Sequence, residues 1–423
     1  MITLRPYQIA ALDELRARVA AGSRRIVLVA PTGAGKTVCA AALIRAAVER
    51  GSPVVFVAHR REIIDQTIDK LTRFDVPAGV VMADDKRASA TRSVQVCSIQ
   101  TLARRKKPPC RLLIIDEAHH ACSKTYRDLI ASYPGAFVVG LTATPWRTDR
   151  LGLADVFEGH VLAATPAQLM DSGDLVRCSA YAYEAPDLRG VHTVAGDYNQ
   201  KELAAVCDDK VIIGSVVREY VQHALGKRAV VFPVNIEHSK HLVMEFNAAG
   251  VPAQHLDCST PKTQRAEILA NLASGAISVV SSVGVLVEGW DCPPAEVGIL
   301  ARPTKSLTLH IQMMGRLLRP SPATGKTTAL FHDHAGNIMR HGLVEDPRDY
   351  SLTATPKNVL ALKVCPFCHV FFGKPVGGRC PACGEIIAPA EEQPGGGVRR
   401  EPKMIDGRRV DIMALRASRA GND

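Results

Sequence analysis

Long apolar runs are missing from this chain. The longest uninterrupted stretches span five to seven residues, against the roughly 20 that a membrane-crossing helix needs. Met1 to Asp13 lacks an apolar core after a basic start, so no secretory signal is visible. Sustained heptads and internal repeats are absent too, which excludes coiled coils and solenoids. Nor is there a disulfide framework. Eight of the twelve cysteines stand singly (Cys39, Cys97, Cys110, Cys122, Cys178, Cys207, Cys258, Cys292), and four crowd between Cys365 and Cys383. That distribution points to a reduced compartment with one metal site. The expectation is a soluble, cytoplasmic protein with no membrane partner.

What is present is size and positive charge. A chain of 423 residues, 47% hydrophobic and 22% charged, is long enough for two or three domains, each with its own core. The formal net charge of +10 suits a polyanionic partner and dictates no fold.

Short apolar runs alternate with helical segments as far as about residue 340. Ile26–Ala30, Val54–Ala58, Leu112–Asp116 and Phe137–Ala143 have strand length, and Thr37–Arg50 reads as a helix closed by Gly51. The pattern restarts with Ala229–Phe232, Ile277–Ser281, Val297–Ala301 and Ala329–Phe331, with a helix over His238–Gly250. Such alternation predicts an α/β fold of two tandem units, each a parallel sheet covered by helices. Between them, residues 160–205 are irregular, broken by Pro166, Pro186, Gly190 and Gly196. The boundary is placed near 175, giving domains at 1–175 and 176–345. A cysteine module at 361–389 follows, then a tail at 390–423 with the composition of a disordered segment.

Ile26–Ala30 runs into Pro31-Thr32-Gly33-Ala34-Gly35-Lys36-Thr37 and then a helix. A strand, a Gly-rich turn, Gly-Lys-Thr and a helix make a P-loop, whose backbone N–H groups close around a triphosphate. Lys36 would reach the β- and γ-phosphates of ATP, and Thr37 would bind Mg²⁺. Ala30 stands where the strict pattern has glycine. A second Gly-Lys-Thr at Gly325–Thr327 lacks the upstream glycine, holding Pro320 there, and reads as a surface hairpin. Leu112–Ile115 leads into Asp116-Glu117-Ala118-His119. Carboxylates at the end of a buried strand suit Mg²⁺ (Asp116) and the attacking water (Glu117).

Together these segments resemble a superfamily 2 helicase over roughly residues 1–345, which implies two RecA-like domains. Leu4–Gln8 resembles the adenine-reading motif, implying base contacts from Gln8 and Arg5. Residues 30–37 match motif I. Ala58–Glu62 and Ser98–Thr101 resemble motifs Ia and Ib, implying nucleic-acid contacts from His59, Arg60, Gln100 and Thr101. Asp116–His119 is a DEAH-type motif II, and Leu141–Pro145 matches motif III, which gives His119, Thr142 and Thr144 coupling roles. Val285–Asp291 resembles motif V, placing Gly289 and Asp291 beside the nucleotide, although Val287 and Trp290 replace the more usual Thr and Phe. Gln312–Arg319 matches motif VI, with Gln312 in coupling and Arg316 and Arg319 as arginine fingers. The Leu-Thr-Ala-Thr-Pro and Gly-Arg-Leu-Leu-Arg-Pro wording resembles the restriction-subunit branch. Arg302–Ser306, Asp333–Asn337 and the cysteine module resemble bacterial DNA repair ATPases of the RadD type. That resemblance implies a helicase or translocase acting on single-stranded or branched DNA, with repair or single-strand-binding proteins as candidate partners. A DNA clamp that uses ATP as a conformational switch, and an RNA helicase, are the alternatives.

Cys365 and Cys368, then Cys380 and Cys383, repeat C-x₂-C across eleven residues. Four thiolates at that spacing suit a closed tetrahedral Zn²⁺ site of zinc-ribbon type, alongside the cofactors ATP and Mg²⁺. Arg104-Arg105-Lys106-Lys107 adds a basic loop suited to phosphate contact.

Overall fold

The computed structural model describes residues 3–146, 152–183, 185–287 and 292–353, with three two-residue strands at 363–364, 371–372 and 410–411. The chain divides into two units. Unit 1 comprises Met1–Leu175, Leu286–Asp291 and Pro347–Lys357; unit 2 comprises Val176–Val285, Cys292–Asp346 and Asn358–Asp423.

Unit 1 runs α1 (Pro6–Ala20), β1 (Arg25–Val29), α2 (Lys36–Glu49), β2 (Val54–Ala58), α3 (Arg61–Arg73), β3 (Ala78–Val81), β4 (Val94–Ser98) and α4 (Ile99–Leu102). It continues with β5 (Leu112–Asp116), α5 (Lys124–Ala131), β6 (Phe137–Thr142), β7 (Gly159–Leu162) and α6 (Pro166–Asp171). The seven strands lie in the order β3-β4-β2-β5-β6-β1-β7, all pairs parallel. Side chains of β1 alternate between two cores. Ile26 and Leu28 join Leu12, Ile44, Phe56 and Leu71 on one face. Val27 and Val29 join Tyr126, Leu129 and Phe157 on the other. A strand buried on both faces must read as an unbroken apolar run, which is why these segments lack polar alternation.

Unit 2 runs β8 (Arg177–Ala182), β9 (Thr193–Val194), β10 (Asp197–Tyr198), α7 (Gln200–Cys207), α8 (Lys210–Ala224), β11 (Ala229–Phe232), α9 (Ile236–Ala248) and β12 (Ala253–Leu256). Then come α10 (Lys262–Ser274), β13 (Val279–Ser282), β14 (Val297–Leu300), α11 (Leu307–Gly315), β15 (Thr328–Asp333) and α12 (Asn337–His341). Its sheet has the order β12-β13-β11-β14-β15-β8, parallel throughout, and Val410–Asp411 adds an antiparallel edge. Tyr220 of α8 and Phe246 of α9 meet edge to face over Val231 and Ile299.

The two parallel α/β sheets agree with the sequence pattern, and each carries strands that the pattern does not announce. Pro166 reads as a breaker in sequence but opens α6, where a residue without an N–H costs nothing; Thr165 Oγ1 accepts from the N–H of Gln168. Within the irregular stretch, β9 and β10 pair as a hairpin. Among the described residues no helix is long and apolar enough to cross a membrane.

Candidate nucleotide and nucleic-acid sites

All strand C-termini of a parallel sheet lie along one edge, where α/β proteins take their ligands. In unit 1 that edge assembles the phosphate loop first. The Ala30 N–H donates to Thr142 O at 2.9 Å, tying the loop to the end of β6. Ala34 N–H closes a turn on Pro31 O at 3.0 Å, and Gly33 and Gly35 take φ of 91° and 80°. Thr32 is buried, and no side chain caps α2 at Gly35, as an anion-binding helix start requires. Lys36 Nζ donates to Ala30 O at 3.2 Å, and Thr37 follows it in the first turn of α2.

The loop is held from behind. Gln8 Nε2 and Tyr7 Oη both donate to Ala34 O at 2.9 Å, while Gln8 Oε1 accepts the Arg5 N–H at 3.0 Å. The Arg5 guanidinium pairs with Asp174 at 3.0 Å. Gln8 and Arg5, expected at the adenine, thus bear on the phosphate loop and on Asp174. Tyr7 lies within the same motif, yet the motif alone assigns it no role. A Cβ on Gly35 would come within 2.6 Å of Gln8 Nε2, which would have to shift, and the φ of 80° is one that L side chains rarely adopt.

Asp116 and Glu117 leave β5 side by side and buried. Burial, followed by the Glu117 carboxylate, pushes Asp116 well above the usual carboxylate range, and Lys36 pulls the other way. A buried pair of carboxylates suits a divalent cation. Glu117 sits at φ 48°, a left-handed conformation that non-glycine residues occupy only under constraint. His119 Nδ1 lies 3.3 Å from Glu117 Oε2. At the end of β6, Thr142 Oγ1 donates to Thr144 O at 2.7 Å and accepts the Thr144 N–H at 3.1 Å, closing the turn on itself.

The same edge holds the segments expected at nucleic acid. Arg60 Nε donates to His59 Nε2 at 3.3 Å, and Gln100 Nε2 donates to His59 O at 3.4 Å. Ser98 Oγ fixes Gln100 by donating to Oε1 at 2.6 Å. Thr101 is half-buried on α4, and Arg104 and Arg105 are exposed beyond it.

In unit 2, Ser306 caps α11 by accepting the Leu309 N–H at 3.2 Å. The helix carries Gln312, which is 4% exposed and whose Nε2 has no hydrogen-bond partner among the described residues. Arg316 and Arg319 follow, both half-buried. Gly289 and Asp291 lie outside the described residues, as do Cys365, Cys368, Cys380 and Cys383 and the tail from 390, Val410–Asp411 apart. The second Gly-Lys-Thr lies on a surface hairpin, as its sequence suggests: Ser321 and Lys326 form an antiparallel bridge, Pro322, Ala323, Gly325 and Thr327 are exposed, and within Gly325–Thr327 Lys326 alone turns inward. Lys326 is buried, its Nζ donating to Pro293 O and Ala295 O at 3.1 and 2.5 Å. Stacked rings hold His334 on Tyr183 with centroids 4.3 Å apart, and Tyr183 Oη meets His332 Nδ1 at 3.1 Å.

Residues 1–147 match the family described as type III restriction enzyme, res subunit, and residues 213–321 match the helicase conserved C-terminal domain. A 51.5 kDa protein of a Lactococcus phage is 30% identical over 404 residues, covering 93% of this chain and 85% of the relative. The chain belongs to the superfamily 2 helicases of the Res branch, a family of nucleic-acid-dependent ATPases. IRC3 of Saccharomyces cerevisiae, provisionally assigned as an ATP-dependent helicase, is 28% identical over 340 residues; the match takes in 75% of this chain and 49% of IRC3. The fold also matches the ATP-dependent Type ISP restriction-modification enzyme LlaBIII bound to DNA. That match has a TM-score of 0.58 and 17% identity over 78% of this chain and 27% of LlaBIII.

Proposed function

We propose that this protein is a DNA-stimulated ATPase that translocates on or remodels single-stranded or branched DNA. The observation that carries the reading is the pairing on one sheet edge of a phosphate loop with two buried carboxylates beyond it. In this reading the loop backbone and Lys36 hold the triphosphate of ATP. Thr37 and Asp116 are the ligands for Mg²⁺, which when bound offsets charge on the β- and γ-phosphates. Glu117 orients the attacking water and takes its proton, and Arg316 and Arg319 supply cations for the charge that develops in the transition state. Thr142, Thr144, His119 and Gln312 pass the outcome on. DNA is favoured over RNA by the restriction-type wording of motifs III and VI, and a repair setting by the RadD-like segments. We also infer one Zn²⁺ on the four clustered cysteines, which metal analysis of the purified chain would count.

The test is the steady-state ATPase rate with single-stranded DNA, forked DNA, duplex DNA and RNA, with Lys36→Ala as the blank. Stimulation by single-stranded or forked DNA that vanishes in the variant supports the reading. Stimulation by RNA alone overturns it. Tight ATP and DNA binding without turnover would instead support a clamp. Glu117→Gln is expected to cut turnover by about 10²–10⁴-fold while nucleotide affinity holds.

A further inference from the structure

Strand order divides the ligand edge of unit 1 into two halves. The phosphate loop, the acid pair and the Thr142 turn stand on β1, β5 and β6, while His59, Arg60 and Gln100 stand on β2 and β4. The halves meet where β2 lies next to β5. At that border, after the strands end, the His59 and His120 rings meet edge to face with centroids 5.0 Å apart. His120 in turn lies 4.1 Å from the His119 ring, and His119 reaches Glu117 at 3.3 Å.

His120 has a second hold on Glu117. Its own N–H donates to Glu117 O at 2.9 Å, closing the short 3₁₀ turn over Ala118–His120. That turn begins from the left-handed Glu117. A residue in this region persists only while its surroundings hold it there, so a small shift of the turn re-aims the carboxylate. His120 is itself exposed, and its ring packs against His59 on one side and His119 on the other.

We propose that His120 is a positioning residue that couples the His59–Arg60 segment to the carboxylate of Glu117. Movement of His59 when nucleic acid engages the neighbouring segment shifts the His120 ring, and the 3₁₀ turn carries that shift to Glu117. His120 needs no contact with either ligand for this. The inference rests on the nucleic-acid-stimulated reading above, and it adds a residue and a route to it. Packed rings with a strained turn are the kind of contiguous link through which such coupling travels.

The experiment compares wild type, His120→Ala and His120→Phe in the full chain. It measures the basal ATPase rate, the rate at saturating single-stranded DNA, and the DNA concentration giving half-stimulation. In His120→Ala the stimulated rate should fall about tenfold, with the basal rate and the half-stimulating concentration each within about threefold of wild type. His120→Phe, which keeps a ring between the two histidines, should recover most of the stimulation. Full stimulation in His120→Ala overturns the proposal. So does a loss found entirely in the half-stimulating concentration, which would make His120 a nucleic-acid contact. A basal rate that falls in step with the stimulated one would show a general structural role and overturn it too. Failure of phenylalanine to restore what alanine removes also counts against the ring link. A wild type that no polymer stimulates overturns the functional reading itself, whereas a stimulated wild type with an equally stimulated His120→Ala overturns this inference alone.

Discussion

Gly35 and His238 show how single residues set measurable limits. Alanine at Gly35 would have to hold φ near 80° and push against the Gln8 amide that supports the loop. Strain of this kind costs on the order of 1–3 kcal/mol. Gly35→Ala should therefore weaken nucleotide binding about tenfold or more in a fluorescent-nucleotide titration. His238 is fully buried in unit 2, and burial holds its imidazole down at about 4. The unfolded chain takes up this proton near pH 6.5, so the contribution to stability is intact above that pH and drains away as the pH falls toward 4. At pH 5 the deficit is about 2 kcal/mol from the 1.36 kcal/mol that each pKa unit represents. Urea unfolding at pH 7 and pH 5 should show that gap narrowing in His238→Gln. An unchanged gap would mean that other groups govern the acid sensitivity.

The hairpin of β9 and β10 is the element that sequence patterns do not reveal. Two-residue strands are too short to alternate, and neighbouring glycines and prolines read only as breaks. What builds it is tertiary. Asp197 Oδ1 accepts the Lys305 N–H at 2.7 Å and Oδ2 accepts Thr304 Oγ1 at 2.8 Å. The Lys305 ammonium lies 4.7 Å over the Tyr198 ring, with Arg340 5.5 Å from the same ring. Losing Asp197 strands these donors, so Asp197→Ala should cost about 1–3 kcal/mol in thermal or urea unfolding. Ala195 at the tip has φ 50°, a conformation that costs a non-glycine residue about 1–2 kcal/mol. Ala195→Gly should therefore raise stability, and a fall would place the benefit of alanine in the unfolded chain. Strands at or next to a sheet edge are hidden for related reasons. In β12, Gln254 and His255 are only partly buried and break the apolar run. In β4, Gln95 is buried yet polar because its Nε2 donates to Ser89 O and Arg92 O. By contrast, the doubly buried central strands and the Gly-Lys-Thr turn are legible, because burial on both faces and phosphate binding each demand a narrow set of residues.

At the scale of the whole molecule, the sequence shows where residues fall along the chain but not which distant segments rejoin. Residues 347–357 belong with unit 1 although they follow most of unit 2. Leu153 N–H donates to Leu352 O at 2.9 Å, and a Cβ on Gly152 would collide with that same carbonyl. Nothing local in residues 347–353 announces this return; it depends on Trp146, whose Nε1 donates to Asp349 O at 2.9 Å and whose ring stacks on Tyr350 with centroids 5.1 Å apart. The returning segment thereby gives the protein a built-in optical reporter. The chain has two tryptophans, Trp146 and Trp290, so Trp290→Phe leaves the ultraviolet emission to Trp146 alone. In the full chain that emission should be blue-shifted and poorly quenched by iodide, as a dry, stacked indole requires. A fragment stopping at residue 175 should fluoresce further to the red and quench readily.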